Sequence, residues 1–174
     1  MRDEVPMEVD AGDESTLTSA PAPGTRHPAF EATLTVRETW GDTPLEEVYR
    51  IRDEVFVDEQ ALTDDARTDP DDHRSFHYLA LLGEEPAGTG RLTLFGREAQ
   101  VAWVAVRQQW RKHGIGKALM LSIIERARME SATHIVLNAQ THAISFYSNL
   151  GFNVVGGEFF MSGIGHQVMI KRLD

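Results

Sequence analysis

Apolar and polar positions change their spacing along the chain, and these changes predict its strands and helices. Residues 101–106 form an apolar run with β-branched side chains, long enough for a buried strand and too short for a helix. Beyond this run the period changes, because Ile115, Leu119 and Ile123 recur on one helical face. We therefore predict a buried strand that leads into an amphipathic helix over residues 114–130.

The same patterns predict further elements before and after this pair. The other helices are predicted over residues 43–57 and 141–149, and the strands over residues 30–37, 76–82, 87–95, 99–106, 134–138, 152–160 and 167–172. The first helix would take Asp42 or Thr43 as its N-cap and Pro44 in its first turn, and would end near Val57. The order β-α-β-β-β-α-β-α-β-β indicates an α+β domain with a mixed sheet and helices on its faces.

The length of 174 residues suits one folded domain, which we place at residues 28–174. Residues 1–27 contain acidic residues, Ser, Thr and Pro with few large apolar side chains, so we predict a disordered acidic tail there. Residues 58–75 are also strongly acidic, and they predict a long surface loop after the first helix.

Charge is spread unevenly over the chain. Residues 1–90 carry 7 basic and 22 acidic residues, whereas residues 91–174 carry 10 and 5. The net charge of −10 argues against a general nucleic-acid surface, which needs a positive face. The basic half suits an anionic ligand, and the acidic half either suits a cationic partner or only favours solubility.

Cysteine is absent, and no apolar stretch approaches the ~20 residues of a membrane span. The sequence therefore predicts no disulfide, no cysteine-based zinc site and no cysteinyl acyl intermediate. The spacing of a calcium-binding EF-hand is also absent, and we predict no metal site. The acidic N-terminus is typical of neither a signal peptide nor a transit peptide. We expect a cytoplasmic protein, with the nucleus as an alternative, and neither a membrane nor a nucleic acid as partner.

The junction between the buried strand and the helix reads RKHGIGK over residues 111–117. The first amides of a helix have no partner within it, and the helix dipole adds partial positive charge, so the junction predicts an anion site. Gly114 and Gly116 would remove the Cβ atoms that keep a phosphate away from these amides. The pattern R-x-x-G-x-G has neither the P-loop spacing nor the dinucleotide-binding spacing. A plain strand-to-helix turn is the alternative.

A second segment, residues 138–152, reads NAQTHAISFYSNLGF. Its spacing predicts a short amphipathic helix in which Ile144, Tyr147 and Leu150 share one face. Core packing would explain Tyr147 as well as a catalytic role would, so this segment alone does not indicate a function.

Taken together and in this order, the two segments resemble the pyrophosphate loop and the tyrosine-bearing helix of the GNAT N-acetyltransferase superfamily. The sequences VFVDEQ at residues 55–60 and GIGH at residues 163–166 resemble those of ElaA-type members. The likeness covers roughly residues 35–172 and implies the GNAT acyl-CoA N-acyltransferase fold, a mixed central sheet flanked by helices.

The resemblance implies acetyl-CoA as cosubstrate. The backbone of Val104 and Val106 would pair with the pantetheine arm, and Ala105 between them would belong to the cofactor-binding site. Asn138 would line the gap that receives the acyl group. The diphosphate would lie on Arg111, Lys112, His113, Gly114, Ile115, Gly116 and Lys117. Tyr147 would be the general acid for the departing thiolate, because a phenol of pKa near 10 matches a thiolate in basicity.

The general base is left open. Gln100 aligns with a glutamate of some GNAT enzymes, and its amide cannot accept a proton at neutral pH. Glu59 and His142 are our predicted catalytic candidates, and His77, His166 or a chain of water molecules are the alternatives.

The resemblance implies direct attack by a primary amine of a small molecule or peptide on acetyl-CoA in a ternary complex, in a monomer or homodimer. Residues 58–72 would border the acceptor entrance, and their acidic side chains favour a cationic acceptor. The alternative function is a non-catalytic acyl-CoA-binding or sensor module.

Overall fold

A seven-stranded mixed sheet forms the centre of the computed structural model, which describes residues 32–41 and 43–173. The strands are β1 (Leu34–Trp40), β2 (Ser75–Leu82), β3 (Glu85–Phe95), β4 (Glu98–Val106), β5 (His134–Gln140), β6 (Asn153–Met161) and β7 (Ile164–Arg172). Their spatial order is β1-β2-β3-β4-β5-β7-β6, and β4 and β5 are the parallel pair. The predicted fold class and order of elements are confirmed.

Helices cover both faces of this sheet. They are α1 (Glu46–Arg52), α2 (Ile115–Met129) and α3 (Ile144–Asn149), and a π-helix over Asp53–Glu59 continues α1 directly. Short 3₁₀ turns precede β2, α2 and α3. Within the described ranges, no helix is both long and apolar enough to cross a lipid bilayer.

Strand β4 separates two apolar clusters, because its side chains point alternately to the two faces of the sheet. Val104 and Val106 belong to the larger cluster, which includes the buried face of α2. Trp103 and Ala105 belong to the smaller cluster, which includes Phe56 of the π-helix. We call the two sides of the sheet the α1 face and the α2 face, after the helix that packs on each. Each strand side chain points to one of these faces.

Two glycines of β3 lie beneath the side chains of helix α2. A Cβ atom on Gly88 would lie 3.0 Å from Cγ2 of Ile115, and one on Gly90 would lie 3.0 Å from Cδ1 of Ile123. Both distances are shorter than ordinary contacts between carbon atoms, so these positions need glycine for this packing.

Element bounds differ from the predicted ones mainly at β1 and at the first helix. Strand β1 begins at Leu34 and continues to Trp40, whose partner in β2 is Phe76. The hairpin turn after β2 consists of residues 83–84, because the ladder between β2 and β3 already begins at Glu85. Residues 30 and 31 lie outside the described ranges, as does the predicted tail at residues 1–27.

The predicted N-cap of the first helix is wrong for Thr43. Its hydroxyl donates a hydrogen bond to the Trp40 carbonyl at 2.8 Å, and Leu45 occupies the N-cap position without a side-chain cap. Asp42, the other predicted cap, lies outside the described residues. The helical segment also continues past Val57, since the π-helix extends to Glu59. Turns of this type are rare and often lie at functional sites.

The acidic segment after the π-helix differs from the solvated loop that we predicted. The Asp72 carboxylate lies 2.8 Å from Nη1 of Arg52 and 3.0 Å from Nη1 of Arg91, and all three side chains are buried. The Asp69 carboxylate lies 2.7 Å from the same Arg91 nitrogen. Buried carboxylates that are already paired with arginine cannot attract a cation from solution, so Asp69 and Asp72 do not support the predicted steering role.

His77 belongs to this buried group, which excludes it as the general base. Its Nε2 donates to the Asp72 carbonyl at 2.8 Å, and Nδ1 lies 3.5 Å from a guanidinium nitrogen of Arg52. Burial lowers the pKa of His77, and the positive charges of Arg52 and Arg91 lower it further. The hydrogen bond to the Asp72 carbonyl and the Asp72 charge act to raise this pKa, but the net shift is downward.

The lowered pKa of His77 predicts that the protein loses stability as the pH falls. An unfolded histidine takes up a proton below about pH 6.5, whereas His77 in the folded chain takes one up only at a lower pH, so acidification favours the unfolded state. We expect a lower urea midpoint at pH 5.5 than at pH 7.5, and a smaller difference in His77→Gln. His73→Gln, at an exposed neighbouring position, is the control. An unchanged pH dependence in His77→Gln would contradict this assignment.

Candidate active site

Strands β4 and β5 are paired only near their beginnings. Residues 98–100 of β4 pair with residues 134–136 of β5, and within the described chain their ladder ends there. Farther along, β4 stays paired with β3 as far as Val106, and β5 stays paired with β7 as far as Gln140. The two strands therefore diverge, and one edge of β4 faces a gap in the sheet.

A β-bulge in β4 lies where this gap opens. Ala102 pairs with Arg91 and Ala105 pairs with Thr89, so two residues of β4 lie opposite Gly90 alone. Trp103, the first of the two, has a φ of +53°, which is uncommon for a residue with a side chain. A bulge bends its strand and increases the local twist, and this one follows directly after the end of the ladder between β4 and β5.

The backbone direction in β4 decides which of its residues can reach a ligand in the gap. The amide of Arg107 donates to the Ala87 carbonyl of β3 at 2.9 Å. Because successive residues point to opposite edges, the polar backbone groups of Val106 and Val104 point to the gap. Ala105 lies opposite Thr89 and buries its side chain in the α1-face cluster. Its backbone therefore points away from the gap, and its predicted place in the cofactor-binding site stays a prediction.

The acidic segment supports the bulge from the α1 face. The indole Nε1 of Trp103 donates to the Asp69 carboxylate at 2.9 Å, and Phe56 packs edge-on against the indole with 5.1 Å between ring centroids. Burial alone would raise the pKa of Asp69, but the Arg91 charge and hydrogen bonds from Asp71 and Trp103 outweigh it, so the pKa is lowered. Asp69 thus stays ionised and fixes the Trp103 ring.

The gap ends at the N-terminus of α2. Gly114 is the N-cap with a φ of +76°, and the first intrahelical bond runs from the Ala118 amide to the Gly114 carbonyl at 3.0 Å. The amides of residues 115–117 therefore precede the helical ladder and are available to an anion. In the described part of the chain, no heavy atom lies within 4 Å of a Cβ built on Gly114. Lys112 and Lys117 are exposed beside it.

We predicted that Gly116 leaves room for a phosphate, but in the structure its missing side chain leaves room for Phe146. Gly116 is buried, and a Cβ atom there would lie 3.3 Å from Cζ of Phe146 on α3. Its missing side chain lets α2 and α3 approach each other, whereas Gly114 leaves room for a ligand. The amide of Gly116 nevertheless remains one of those at the helix start.

Two ion pairs join the π-helix to the loop before α2. Arg107 makes a bidentate contact with Glu54, with nitrogen-to-oxygen distances of 2.7 and 2.9 Å. Arg111 donates from Nη2 to Glu59 at 2.8 Å and from Nε to the Val106 carbonyl at 3.0 Å. Glu59 and Arg111, which we predicted as a base and a cofactor-binding residue, are therefore in direct contact.

The loop is also stabilised by its own histidine. Nδ1 of His113 lies 2.7 Å from the Arg111 carbonyl and 3.2 Å from the Trp110 carbonyl, and since a carbonyl only accepts, Nδ1 is the donor. His113 thus holds the turn before Gly114 in shape, and its predicted contact with the cofactor through the backbone stays a prediction.

Tyr147 lies on the α2 face of the sheet and is fully buried. Its ring packs between Phe146 and Phe152, with centroid distances of 5.0 and 5.8 Å. It belongs to the same cluster as Leu137 and Ala139 of β5, the strand that borders the gap. The structure therefore places Tyr147 next to that strand, as its predicted role requires.

Asn138 and Gln140 alternate with these residues along β5 and so face the α1 side. Both are buried. The amide of Gln140 exchanges two hydrogen bonds with Gln60, at 2.8 and 3.3 Å, and so connects β5 to the residue after the π-helix. Beside the gap, β5 therefore carries polar side chains on its α1 side and belongs on its α2 side to the apolar cluster that includes Tyr147.

A comparison with protein families identifies this arrangement. The family described as an acetyltransferase (GNAT) domain matches residues 39–173, which include every element from the end of β1 to β7. The chain belongs to the GNAT acetyltransferase family. The predicted resemblance is confirmed. The open edge of β4, helix α2 after Gly114 and Tyr147 on α3 all lie within this GNAT domain.

Individual GNAT proteins show how far the likeness extends. An uncharacterised N-acetyltransferase of Bacillus subtilis, YjcF, is 32% identical over 73% of this chain and 91% of its own length. The crystal structure of Escherichia coli ElaA superposes with a TM-score of 0.72 at 23% identity, covering 80% of this chain and all of ElaA. A Bacillus subtilis acetyltransferase in complex with CoA has a TM-score of 0.58 at 23% identity over 80% of this chain and 99% of its own. These structures establish the shared fold.

Three base candidates remain in this GNAT domain. Glu59 is paired with Arg111, and His142 is exposed on the turn before α3. His166 is buried opposite Gln140, and its Nδ1 donates to the Ile164 carbonyl at 2.7 Å. Burial lowers the pKa of His166, and a positive charge on His142 would lower it further. Glu59 and His142 reach solvent, whereas His166 would act only through a relay.

Proposed function

We propose that this chain transfers an acetyl group from acetyl-CoA to a primary amine of a small molecule or peptide, by direct attack in a ternary complex. One observation carries the proposal: the open edge of β4 ends at the N-terminus of α2. An extended amide-bearing arm along Val104 and Val106 would place a diphosphate at the amides of residues 115–117. The crystallised complex of a GNAT relative with CoA supports this assignment.

The chemistry of the residues fits such a cosubstrate. Backbone amides at a helix start bind phosphate oxygens without desolvating a side chain, and Lys112 and Lys117 add positive charge. The gap between β4 and β5, at the Val104 end of this arm, would give the thioester a place between Asn138 on one face and Tyr147 on the other. Acetyl-CoA supplies the activated acyl group, and the chain holds and orients it.

Two proton transfers remain for the chain's own side chains. The attacking amine loses a proton, and the departing thiolate gains one. We assign the second transfer to Tyr147, whose phenol is close in basicity to a thiol. We assign the first to Glu59 or His142, directly or through water. Because the chain contains no cysteine, no cysteinyl acyl intermediate is available and the amine attacks the thioester itself.

An amine screen with thiol release as the signal tests this function. We expect acetyl-CoA to be consumed only with particular primary amines, one CoA being released for each amide formed. CoA binding without turnover on any amine would favour the alternative, a non-catalytic acyl-CoA-binding or sensor module. The absence of CoA binding would contradict both functions.

Gly114→Glu should weaken CoA binding by at least about tenfold, because it places a carboxylate where the diphosphate is expected. Gly96→Glu is a matched control: Gly96 has a φ of +63°, and among the described residues nothing lies within 4 Å of its Cβ position. Both substitutions carry the same backbone strain and the same charge. Calorimetry with CoA should separate them, and equal affinities in the two variants would contradict the assigned anion site.

A further inference from the structure

The Arg111 side chain connects three parts of the site. Its Nε donates to the Val106 carbonyl, the last one on the open edge of β4, and its Nη2 donates to Glu59, the last residue of the π-helix. Arg111 itself begins the loop that leads to Gly114. A change in the partners of this guanidinium would therefore affect the strand edge, the π-helix and the loop.

Both members of the ion pair are partly exposed to solvent. The side chain of Arg111 is 20% exposed and that of Glu59 is 30% exposed, so neither is fixed by burial. By contrast, Arg107 is 11% exposed and binds Glu54 with two nitrogens and the Pro86 carbonyl with a third. Arg107 anchors the π-helix, and Arg111 is the arginine able to exchange one partner for another.

A diphosphate at the start of α2 would offer Arg111 a second partner. Guanidinium groups match carboxylates and phosphates by the same bidentate geometry, and a diphosphate carries more charge than one carboxylate. The contact with Glu59 uses a single nitrogen, which makes it easier to replace than a two-nitrogen contact.

We infer that Glu59 and the diphosphate of the acyl-CoA compete for Arg111, so that cofactor binding releases the Glu59 carboxylate towards the acceptor amine. This inference rests on the function proposed above. The released carboxylate lies on the α1 face beside Gln60, where it recognises the ammonium group of a cationic acceptor. The Glu59 carboxylate, and not the buried Asp69 and Asp72, is therefore our reason to expect a cationic acceptor.

Competition of this kind couples the binding of the two substrates. If acyl-CoA frees a group that the acceptor uses, each ligand strengthens the binding of the other by the same factor. An exposed pair of charges contributes little to stability, so the factor is small. The coupling slightly stabilises the ternary complex without preventing either substrate from binding alone.

The test measures CoA affinity by calorimetry at low ionic strength in variants of the full chain. Glu59→Gln keeps the side-chain size and removes the competing charge, and we expect CoA to bind about threefold more tightly. Asp58→Asn removes the same charge from the exposed neighbouring residue and controls for the general loss of negative potential. We expect no more than a slight gain in that control.

A double-mutant cycle identifies Arg111 as the shared partner. In an Arg111→Gln background, Glu59→Gln should leave CoA affinity unchanged. The inference is overturned if Glu59→Gln binds CoA no more tightly than Asp58→Asn, or if its gain persists without Arg111. In both cases the wild type still binds CoA, so the proposed function survives. Failure of the wild type to bind CoA would instead contradict the proposed function itself.

Discussion

Replacing Asp72 with alanine should lower the free energy of unfolding by about 3–5 kcal/mol, the cost of leaving buried charges without their partner. The Asp72 carboxylate accepts hydrogen bonds from Arg52 at 2.8 and 3.2 Å and from Arg91 at 3.0 Å. Both arginines are buried, and each would lose a charged partner when the carboxylate is removed. Asp69 would remain as the other carboxylate in contact with Arg91.

Urea denaturation at pH 7 measures this loss. Asp64→Ala is the matched control, because Asp64 belongs to the same acidic segment but is exposed. We expect the control to change the free energy of unfolding by less than about 0.5 kcal/mol. A similar small effect in Asp72→Ala would show that the buried network contributes no more than an ordinary surface charge.

The contrast between Asp64 and Asp72 shows where sequence information ends. Both belong to one acidic run, and composition alone describes that run as a solvated loop. The partners of Asp72 lie 20 and 19 residues away, on α1 and β3, so only the tertiary fold reveals the pairing. Arg52 offered a weak signal, since it shares the apolar face of the first helix with Ile51 and Val55.

Local periodicity, by comparison, predicted the strands, the helices and their order. The β4 bulge escaped it because a strand buried on both faces reads as a continuous apolar run, in which an extra residue leaves no trace. The family resemblance assigned the pairing with the pantetheine arm to Val104 and Val106, and the strand direction agrees with that assignment. The hydrogen bond from Trp103 to Asp69 was not predicted either, because the apolar run does not reveal the bulge at Trp103.

The site was predictable through its motifs but not through its contacts. The family resemblance identified Glu59 and Arg111 as separate members of two segments, 52 residues apart in the chain. Their ion pair depends on how the π-helix packs beside the loop. The role of Gly116 could not be predicted either. A glycine that leaves room for a ligand and one that leaves room for Phe146 look identical in the sequence.

Tyr147→Phe should lower kcat by about 10²-fold while leaving the affinity for CoA within about twofold, because the phenol acts in the proton transfer and not in binding. The substitution keeps the ring and its contacts with Phe146 and Phe152. Stability should therefore change little, which separates the loss of a proton donor from the loss of packing.

Tyr78→Phe is the matched control for this substitution. Tyr78 is as deeply buried as Tyr147, but it lines the cavity between β1 and α2 beside Glu38, away from the gap between β4 and β5. We expect its kcat to equal that of the wild type on the best amine of the screen. If Tyr147→Phe also keeps the wild-type kcat, Tyr147 is a core residue and the thiolate takes its proton from elsewhere. If kcat and the urea midpoint fall together, the loss of activity reflects packing.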